Sequence, residues 1–176
     1  LIRQGVTQEK MRLLSAMEQL RQAIKFDPLT HLYNRSHIES ILHDEALRHN
    51  RTGVGFCIAL IDIDHFKNIN DQLGHQVGDT VLKRFASCSK ELIRETDTLG
   101  RWGGEEFILV VPDTNGGPEG LRATERLRQH ISQQTLCDVD TSHNITFSAG
   151  VAIHQRGESI QSLLDRADSA LYAAKE

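Results

Sequence analysis

The heptapeptide RWGGEEF, residues 101–107, places two adjacent carboxylates directly after a pair of glycines. Gly103 and Gly104 predict a tight turn between two strands, because glycine adopts turn conformations at little steric cost. Glu105 and Glu106 then precede the apolar run FILVV, and like charges held close each oppose the other's ionisation. A cation bound between the two carboxylates removes that conflict. The heptapeptide therefore predicts a hairpin whose acidic end binds a cation.

A third carboxylate follows an unbroken apolar run, Phe56 to Ile61, which is typical of a central strand buried on both faces. Asp62 ends this run, so we expect it at the rim of the sheet, near the two glutamates. Three carboxylates without histidine or cysteine suit Mg²⁺ or Mn²⁺, and Mg²⁺ leaves coordination positions for substrate phosphates. The alternative is that Asp62 and Asp64 cap a loop and the glutamates are solvated charges at a hairpin tip.

The segment DHFKNINDQLGHQVGD, residues 64–79, is predicted to be a loop whose backbone amides cradle a phosphate. Lys67 supplies a mobile positive charge for the same phosphate. Asn70 and Asp79 are candidates for recognising a base, because a carboxylate accepts the paired N–H donors of guanine and an amide both donates and accepts. The alternatives are that Asp79 is the N-cap of the following helix and that Lys67 is an ordinary surface residue.

The elements that must position these residues alternate along the chain. Amphipathic periodicity predicts helices over 36–49, 79–95, 119–132 and 160–176, the first with a Ser36–Glu39 capping box. Strands are predicted over 54–64, on both sides of the Gly-Gly turn, and over 144–154, the last with one buried face. The order predicts an α+β fold on a βαββαβ plan, ferredoxin-like or palm-type, with an antiparallel sheet and helices packed on one face.

Residues 1–26 have a different pattern, in which apolar residues recur with heptad spacing and Lys10 is the one polar interruption: Val6, Leu13 and Leu20, with Met17 and Ile24 offset by four. The pattern favours a parallel coiled coil that leads from an upstream sensory module and brings two chains together. The alternative is a helix docked on its own domain. Asp27-Pro28 ends the helix, because the residue before proline avoids helical geometry. We expect two parts, the helix at 1–26 and a globular domain at 27–176.

Composition limits the classes of function. The chain has 176 residues with 20 basic and 24 acidic side chains, a net charge of −4, so binding to duplex nucleic acid or to an anionic membrane is not expected. No apolar run reaches the length of a membrane span. Three scattered cysteines indicate reduced thiols in the cytoplasm. The first residue is leucine, which predicts a piece of a longer protein.

Four ordered motifs resemble the GGDEF family of diguanylate cyclases over residues 27–175. DPLTHLYNR (27–35) is similar to the family's opening motif, with His31 where glycine is usual. The stretch 62–79 matches the family's metal and base-recognition motif, RWGGEEF is its signature in the Glu-Glu form, and DSALYAAK (168–175) resembles its closing helix. The resemblance implies condensation of two GTP into cyclic di-GMP with release of two pyrophosphates.

The resemblance also implies roles for individual residues. Asp62, Glu105 and the backbone carbonyl of Ile63 match metal ligands, and Glu106 stands near the metal. Glu105 matches the general base for the attacking 3′-hydroxyl, and Lys67 a residue that contacts phosphates and stabilises the transition state. The substrate-binding set that it implies is Phe66, Lys67, Asn70, Asp79, Gly103, Gly104 and Lys175, with Asn70 and Asp79 reading guanine. The family's usual glycine-arginine-asparagine tail would follow Glu176, so its arginine contact is not in this sequence.

RETD, residues 94–97, resembles the family's R-x-x-D inhibitory site, where the product binds away from catalysis. Arg94 offers a forked set of donors to a phosphate or to guanine, and Asp97 can accept from guanine N–H groups. The alternative is an arginine at a helix end next to a solvated turn aspartate. For the whole chain, two other functions stay open: a silent receptor for GTP or cyclic di-GMP, and a mononucleotide cyclase or polymerase palm.

Overall fold

The computed structural model of the protein describes residues 2–114, 117–134 and 145–176, and the side chains of residues 2–7 and 21–23 are not among those described. The helices, numbered in chain order, are α1 (Ile2–Lys25), α2 (Arg35–Thr52), α3 (Phe66–Leu73), α4 (His75–Leu92), α5 (Glu119–Ser132) and α6 (Ile160–Lys175). The strands are β1 (Cys57–Ile63), β2 (Thr98–Gly103), β3 (Glu106–Val111) and β4 (Phe147–Ile153). Part of the segment predicted as the strand 144–154, and Cys137, lie outside the described residues.

The four strands form one antiparallel sheet in the order β2-β3-β1-β4, which confirms the predicted βαββαβ plan. Every residue of β1 is buried, as the apolar run predicts for a central strand. This placement leaves β1 with a neighbour on each side, β3 on one and β4 on the other. The end of β1 therefore meets both the hairpin and the last strand.

Helices cover both faces of the sheet, so the prediction of helices on one face was wrong. Helices α3, α4 and α5 pack on one face through a cluster that includes Phe66, Phe85 and Leu127. Helices α2 and α6 pack on the other through a cluster that includes Ile38 and Leu163. The apolar alternation of 144–154 suggested one buried face for β4, but Gly150 and Ala152 on its second face are also buried, beneath α6.

Gly150 shows how closely α6 approaches the sheet. A Cβ atom at this position would lie 2.0 Å from the backbone oxygen of Ala167, so any side chain would push the helix away. Because the residues on this face of β4 have short or absent side chains, the hydrophobic pattern alone does not predict that the face is buried.

Three local predictions require correction. The N-cap of α2 is Asn34, whose side chain accepts a hydrogen bond from the His37 amide at 3.0 Å, so Ser36 is inside the helix and is not its cap. Most of the predicted loop 64–79 is helical, as α3 and the first turns of α4. Asp79 lies inside α4, which begins at His75, and the alternative that it is an N-cap is therefore wrong.

Helix α1 leaves its apolar seam exposed. Leu13, Met17, Leu20 and Ile24 are each more than half exposed, with fractions of 62%, 58%, 62% and 65%. Val6, the first member of the seam, lies outside the described side chains. The described part of the seam is therefore not docked on the domain's own core, as the alternative required. The described part of the chain also contains no helix with the length and apolarity needed to cross a membrane.

Candidate active site

The acidic rim, which we define as Asp62, Glu105 and Glu106, lies where β1 meets the hairpin. Asp62 on β1 and Glu106 on β3 are direct partners in the antiparallel register. Glu105 lies in the turn between β2 and β3, and its backbone oxygen accepts a hydrogen bond of 3.4 Å from the amide of Ile63. The sheet therefore brings together the three carboxylates that the sequence predicts at one rim.

The rim concentrates negative charge in a partly buried place. Asp62 is only 9% exposed. Burial raises the pKa of Glu106, and the neighbouring charges of Asp62, Glu105 and Asp168 raise it further, while Lys175 lowers it. Asp168, on α6, is a fourth acid at this rim, and sequence reasoning had assigned it no role. A bound cation would relieve the repulsion among these neighbouring carboxylates.

Lys175 is placed at the rim by the last turn of α6. Its Nζ atom lies 2.6 Å from Oδ1 of Asp62, in a salt bridge whose aspartate side chain is 12% exposed. The prediction had assigned Lys175 to a substrate phosphate. An ammonium group has three donors, so one bond to Asp62 leaves two for other oxygens.

The donor set fits Mg²⁺ or Mn²⁺, since the rim offers carboxylate and backbone oxygens. In the described ranges, however, no three acidic, histidine or cysteine side chains are gathered closely enough to hold a metal by themselves. The protein therefore presents an incomplete cage, which suits an ion that takes one or two carboxylates and completes its shell with water and phosphate oxygens. Asp62, Glu105 and the carbonyl of Ile63 are the candidate ligands, and Glu106 stands beside them.

The Gly-Gly turn is open to solvent. A Cβ atom added at Gly103 or at Gly104 would meet nothing within 4 Å. Gly104 has a φ of +47°, in the left-handed region that favours glycine. The turn thus has room for a bulky ligand against its backbone.

A polar cavity of about 380 Å³ adjoins the rim on the side of α3. Its lining residues are Asp64, His65, Ser148, Ala174 and Lys175. Lys67 is exposed in the first turn of α3. Phe66 is 7% exposed and its side chain packs in the core cluster, so its ring is not available to a substrate. The junction of β1 and α3 is therefore the candidate phosphate site.

Asn70 and Asp79, the predicted base-reading pair, lie on the adjacent helices α3 and α4. The Asn70 side chain packs against Gly78, where an added Cβ atom would lie 1.9 Å from Oδ1 of Asn70. Gly78 precedes Asp79, whose side chain is exposed. Gly78, next to Asp79 in the chain, thus allows α4 to pack closely against Asn70 of α3, a contact that the sequence analysis missed.

A second missed feature, the ion pair that we call the Asp27–Arg101 clamp, fixes the backbone of the Gly-Gly turn. Arg101 donates to the backbone oxygen of Gly104 from Nε at 2.9 Å and from Nη2 at 2.8 Å. Its Nη1 atom lies 3.1 Å from Oδ1 of Asp27, which also accepts the amide and hydroxyl of Thr30 through Oδ2. Asp27 belongs to the motif DPLTHLYNR and Arg101 to RWGGEEF, but no local sequence pattern predicts a contact between residues so far apart.

The R-x-x-D residues lie at the end of α4 but do not form one exposed patch. Arg94 is exposed, whereas Asp97 is 8% exposed and accepts the Arg94 amide at 3.0 Å. Asp97 also lines a cavity of about 180 Å³ with His31 and Lys90. His31 has a φ of +55°, which explains why glycine is usual at this place in the resembled motif. Of the predicted inhibitory pair, Arg94 is therefore the exposed member and Asp97 the buried one.

Known proteins are similar to this chain in both sequence and fold. A family model described as diguanylate cyclase, GGDEF domain, matches residues 24–176. Diguanylate cyclase DgcP of Pseudomonas aeruginosa is 39% identical over 171 residues, which are 97% of this chain and 25% of DgcP. Response regulator PleD of Caulobacter vibrioides is 40% identical over 152 residues, which are 85% of this chain and 33% of PleD. The chain thus spans a quarter to a third of the length of these relatives.

Solved structures of similar proteins share the fold of this chain. The coiled coil and GGDEF domain of DgcB from Caulobacter crescentus, in complex with c-di-GMP, matches with a TM-score of 0.87 and 34% identity, over 97% of this chain and 91% of that one. Diguanylate cyclase SiaD from Pseudomonas aeruginosa, in complex with its activator SiaC, matches with a TM-score of 0.83 and 35% identity, over 98% and 67% respectively. The fold and the site together define the class of protein: an antiparallel sheet flanked by helices, with a carboxylate rim beside a Gly-Gly turn. This chain belongs to the GGDEF diguanylate cyclase family.

Proposed function

We propose that this chain condenses two molecules of GTP into cyclic di-GMP and releases two pyrophosphates. The observation that carries the proposal is the cross-strand pair of Asp62 and Glu106, with Glu105 beside it, at the mouth of an open Gly-Gly turn. Family membership supports the same reaction, because the matching relative DgcP is a diguanylate cyclase.

In each half-reaction the 3′-oxygen of one GTP bonds to the α-phosphorus of the other. The bond from that phosphorus to the bridging oxygen of the β-phosphate breaks, and pyrophosphate leaves with the electron pair. Glu105 is the proposed acceptor of the hydroxyl proton. Lys67, Lys175 and the Phe66 amide are the proposed phosphate contacts, and all three belong to elements that border the rim.

The proposed metal ligands are Asp62, Glu105 and the carbonyl of Ile63, with Glu106 nearby. When bound, Mg²⁺ or Mn²⁺ would neutralise charge on the phosphates and lower the pKa of the attacking hydroxyl. Burial is the largest cause of the raised pKa of Glu106, and the charges of Asp62, Glu105 and Asp168 add to it, so the assignment is supported by several carboxylates that lie near one another. Asn70 and Asp79 are the proposed readers of guanine, at a point where α3 and α4 meet.

Turnover requires two domains that face each other, because each GTP must be attacked by the hydroxyl of the other. We propose that α1 pairs with a second copy and sets this arrangement, and that an upstream sensory module controls it. The exposed Leu13, Met17, Leu20 and Ile24 support a helix pair. Deleting residues 1–26 should lower specific activity, and dilution should lower it further.

Inhibition by the product at Arg94 and Asp97 is a finer proposal. Since Asp97 is buried and engaged by the Arg94 amide, Arg94 would make the first contact with cyclic di-GMP. Arg94→Ala should keep the initial rate but remove the slowing as product accumulates. Progress curves that slow as much as those of the wild type would exclude this site.

The test of the main proposal is to incubate the protein with GTP and Mg²⁺ and to identify the product by mass spectrometry. We expect cyclic di-GMP with two pyrophosphates per product, and no comparable product from ATP, because each lost hydrogen bond to the base costs roughly 1–3 kcal/mol. Binding of GTP without turnover would favour the receptor alternative, and a mononucleotide or polymeric product would favour a palm-type enzyme.

A further inference from the structure

Asp64 lies directly after β1 and is bonded to the β4 side of the sheet three times. Its Oδ2 atom accepts the hydroxyl of Thr146 at 2.6 Å, and its Oδ1 atom accepts the hydroxyl of Ser148 at 2.8 Å. Its own amide donates to the backbone oxygen of Thr146 at 2.9 Å. Both carboxylate oxygens are thus engaged by hydroxyl donors of the same protein, although Asp64 lines the cavity beside the rim.

The chain must turn from strand to helix within two residues here. Ile63 is the last residue of β1 and Phe66 is the first of α3. His65 bridges them with a φ of +56°, a left-handed conformation that costs free energy for a residue with a side chain. His65 is the N-cap of α3 and makes no side-chain capping bond. The geometry of this turn is therefore imposed by contacts outside the helix.

Asp64 and Phe66 supply those contacts from opposite sides. The Phe66 ring is held in the core beneath the sheet, while the Asp64 carboxylate is held by Thr146 and Ser148. The candidate metal and phosphate groups flank this anchor in sequence: Asp62 and the Ile63 carbonyl on one side, the Phe66 amide and Lys67 on the other. A displacement of the anchor would move all of them together.

We propose that Asp64 is a positioning residue, which fixes the junction of β1 and α3 for metal and triphosphate binding through its bonds to Thr146 and Ser148. This role rests on the proposed function. It uses the two acceptor positions of the side chain and does not require Asp64 itself to bind the metal. An asparagine at 64 would retain the role, because its amide can accept from one hydroxyl and donate to the other.

The test compares four variants of the full chain. Asp64→Ala removes the anchor, the double variant Thr146→Val/Ser148→Ala removes its donors, and Asp64→Asn keeps the bonds without the charge. The matched control is Thr52→Val/Ser162→Ala, which removes exposed hydroxyls from the end of α2 and the start of α6. Steady-state kcat and KM for GTP, and the Mg²⁺ concentration for half-maximal rate, are measured beside thermal unfolding.

We expect Asp64→Ala and the Thr146/Ser148 double variant to lower kcat/KM by roughly 10–100-fold and to require more Mg²⁺, because small misplacements of reacting groups have effects of this size. Asp64→Asn should stay within about threefold of the wild type, since it conserves the donor and acceptor geometry. The control should match the wild type in every measurement.

Three results would overturn the proposal. One is wild-type kinetics for Asp64→Ala, and another is an Asp64→Asn as impaired as Asp64→Ala, which would assign the role to charge. The third is a change in thermal unfolding without any change in kinetics.

If the wild type makes no cyclic di-GMP, the proposed function fails separately. Calorimetry with GTP and Mg²⁺ then decides: weaker binding in Asp64→Ala and retained binding in Asp64→Asn support positioning, and equal affinity in all variants refutes it.

Discussion

Two clusters of charge touch the same turn of this protein and are built in opposite ways. The acidic rim, on the side of β1, holds like charges together with Lys175 as a countercharge. The Asp27–Arg101 clamp pairs opposite charges and fixes the Gly104 carbonyl. Both clusters are partly buried, so burial by itself does not distinguish them.

The pKa of Glu106 in the rim and the pKa of Asp27 in the clamp are displaced in opposite directions. Burial raises the pKa of Glu106, and the adjacent acids add to that effect. Burial also acts to raise the pKa of Asp27, but hydrogen bonds from Thr30 and the charge of Arg101 outweigh it, so the pKa of Asp27 is lowered. The difference lies in the partners: Asp27 has Thr30 and Arg101 as donors within the chain, while Glu106 has mainly other carboxylates as neighbours, which the proposed function offsets with a bound cation.

The largest effect should come from breaking the rim where chemistry is proposed. Glu105→Gln should lower turnover roughly 100-fold or more, a loss typical of removing one preorganised group at a reacting centre. Binding of GTP should partly survive through Lys67 and the base contacts, measured by calorimetry beside rate assays. Glu91→Gln, an exposed change on α4, is the control. Equal activity of Glu105→Gln and the wild type would refute the assignment.

Breaking the clamp should cost stability as well as activity. Arg101→Ala leaves the Asp27 carboxylate and the Gly104 carbonyl short of donors, and should lower the free energy of unfolding by about 2 kcal/mol. Denaturant titration measures this, and kcat/KM should fall with it. The control is Arg128→Ala, whose pair with Glu125 has both side chains 46% exposed, and its loss of stability should be much smaller because water screens an exposed pair. Similar losses for both variants would show that the clamp is an ordinary surface pair.

The clamp should also show a defined pH dependence. Because the folded pKa of Asp27 lies below its ordinary value of 3.8, the ionised form stabilises the fold above pH 3.8, and this stability is lost as the pH falls through the folded value. Asp27→Asn should therefore be less stable than the wild type by about 1 kcal/mol at neutral pH. The difference should shrink below pH 3.8 in denaturant titrations. A difference that is constant with pH would contradict the ionic contribution.

The smallest expected effect is on stability at the rim, where a substitution should raise the free energy of unfolding instead of lowering it. Like charges directly opposite in a sheet destabilise by about 0.2–1 kcal/mol, so Glu106→Gln should raise the free energy of unfolding by that amount in a buffer with EDTA. The same variant should lower turnover of GTP. Glu91→Gln again serves as the control. If Glu106→Gln were destabilising without metal, the rim would be a structural cluster like the clamp, and the comparison would fail.

Local patterns in the sequence were sufficient for much of the architecture. The apolar run from Phe56 to Ile61 identified the central strand, and the Gly-Gly pair identified the hairpin, because both signals lie within a few residues. Local pattern failed at α3, where Asn and Asp lower helix propensity in a short segment. It failed again at β4, where small residues concealed a face that α6 covers.

By itself the sequence predicted, through residue types and their order, which residues carry the proposed chemistry, including the rim of Asp62, Glu105 and Glu106. Tertiary structure alone decided what surrounds them. The Arg101–Asp27 contact spans 74 residues and the Asp64–Thr146 contact spans 82. Such contacts depend on which strands are neighbours and in which register they pair, and the free energy that sets the register comes from burying both faces of the whole sheet.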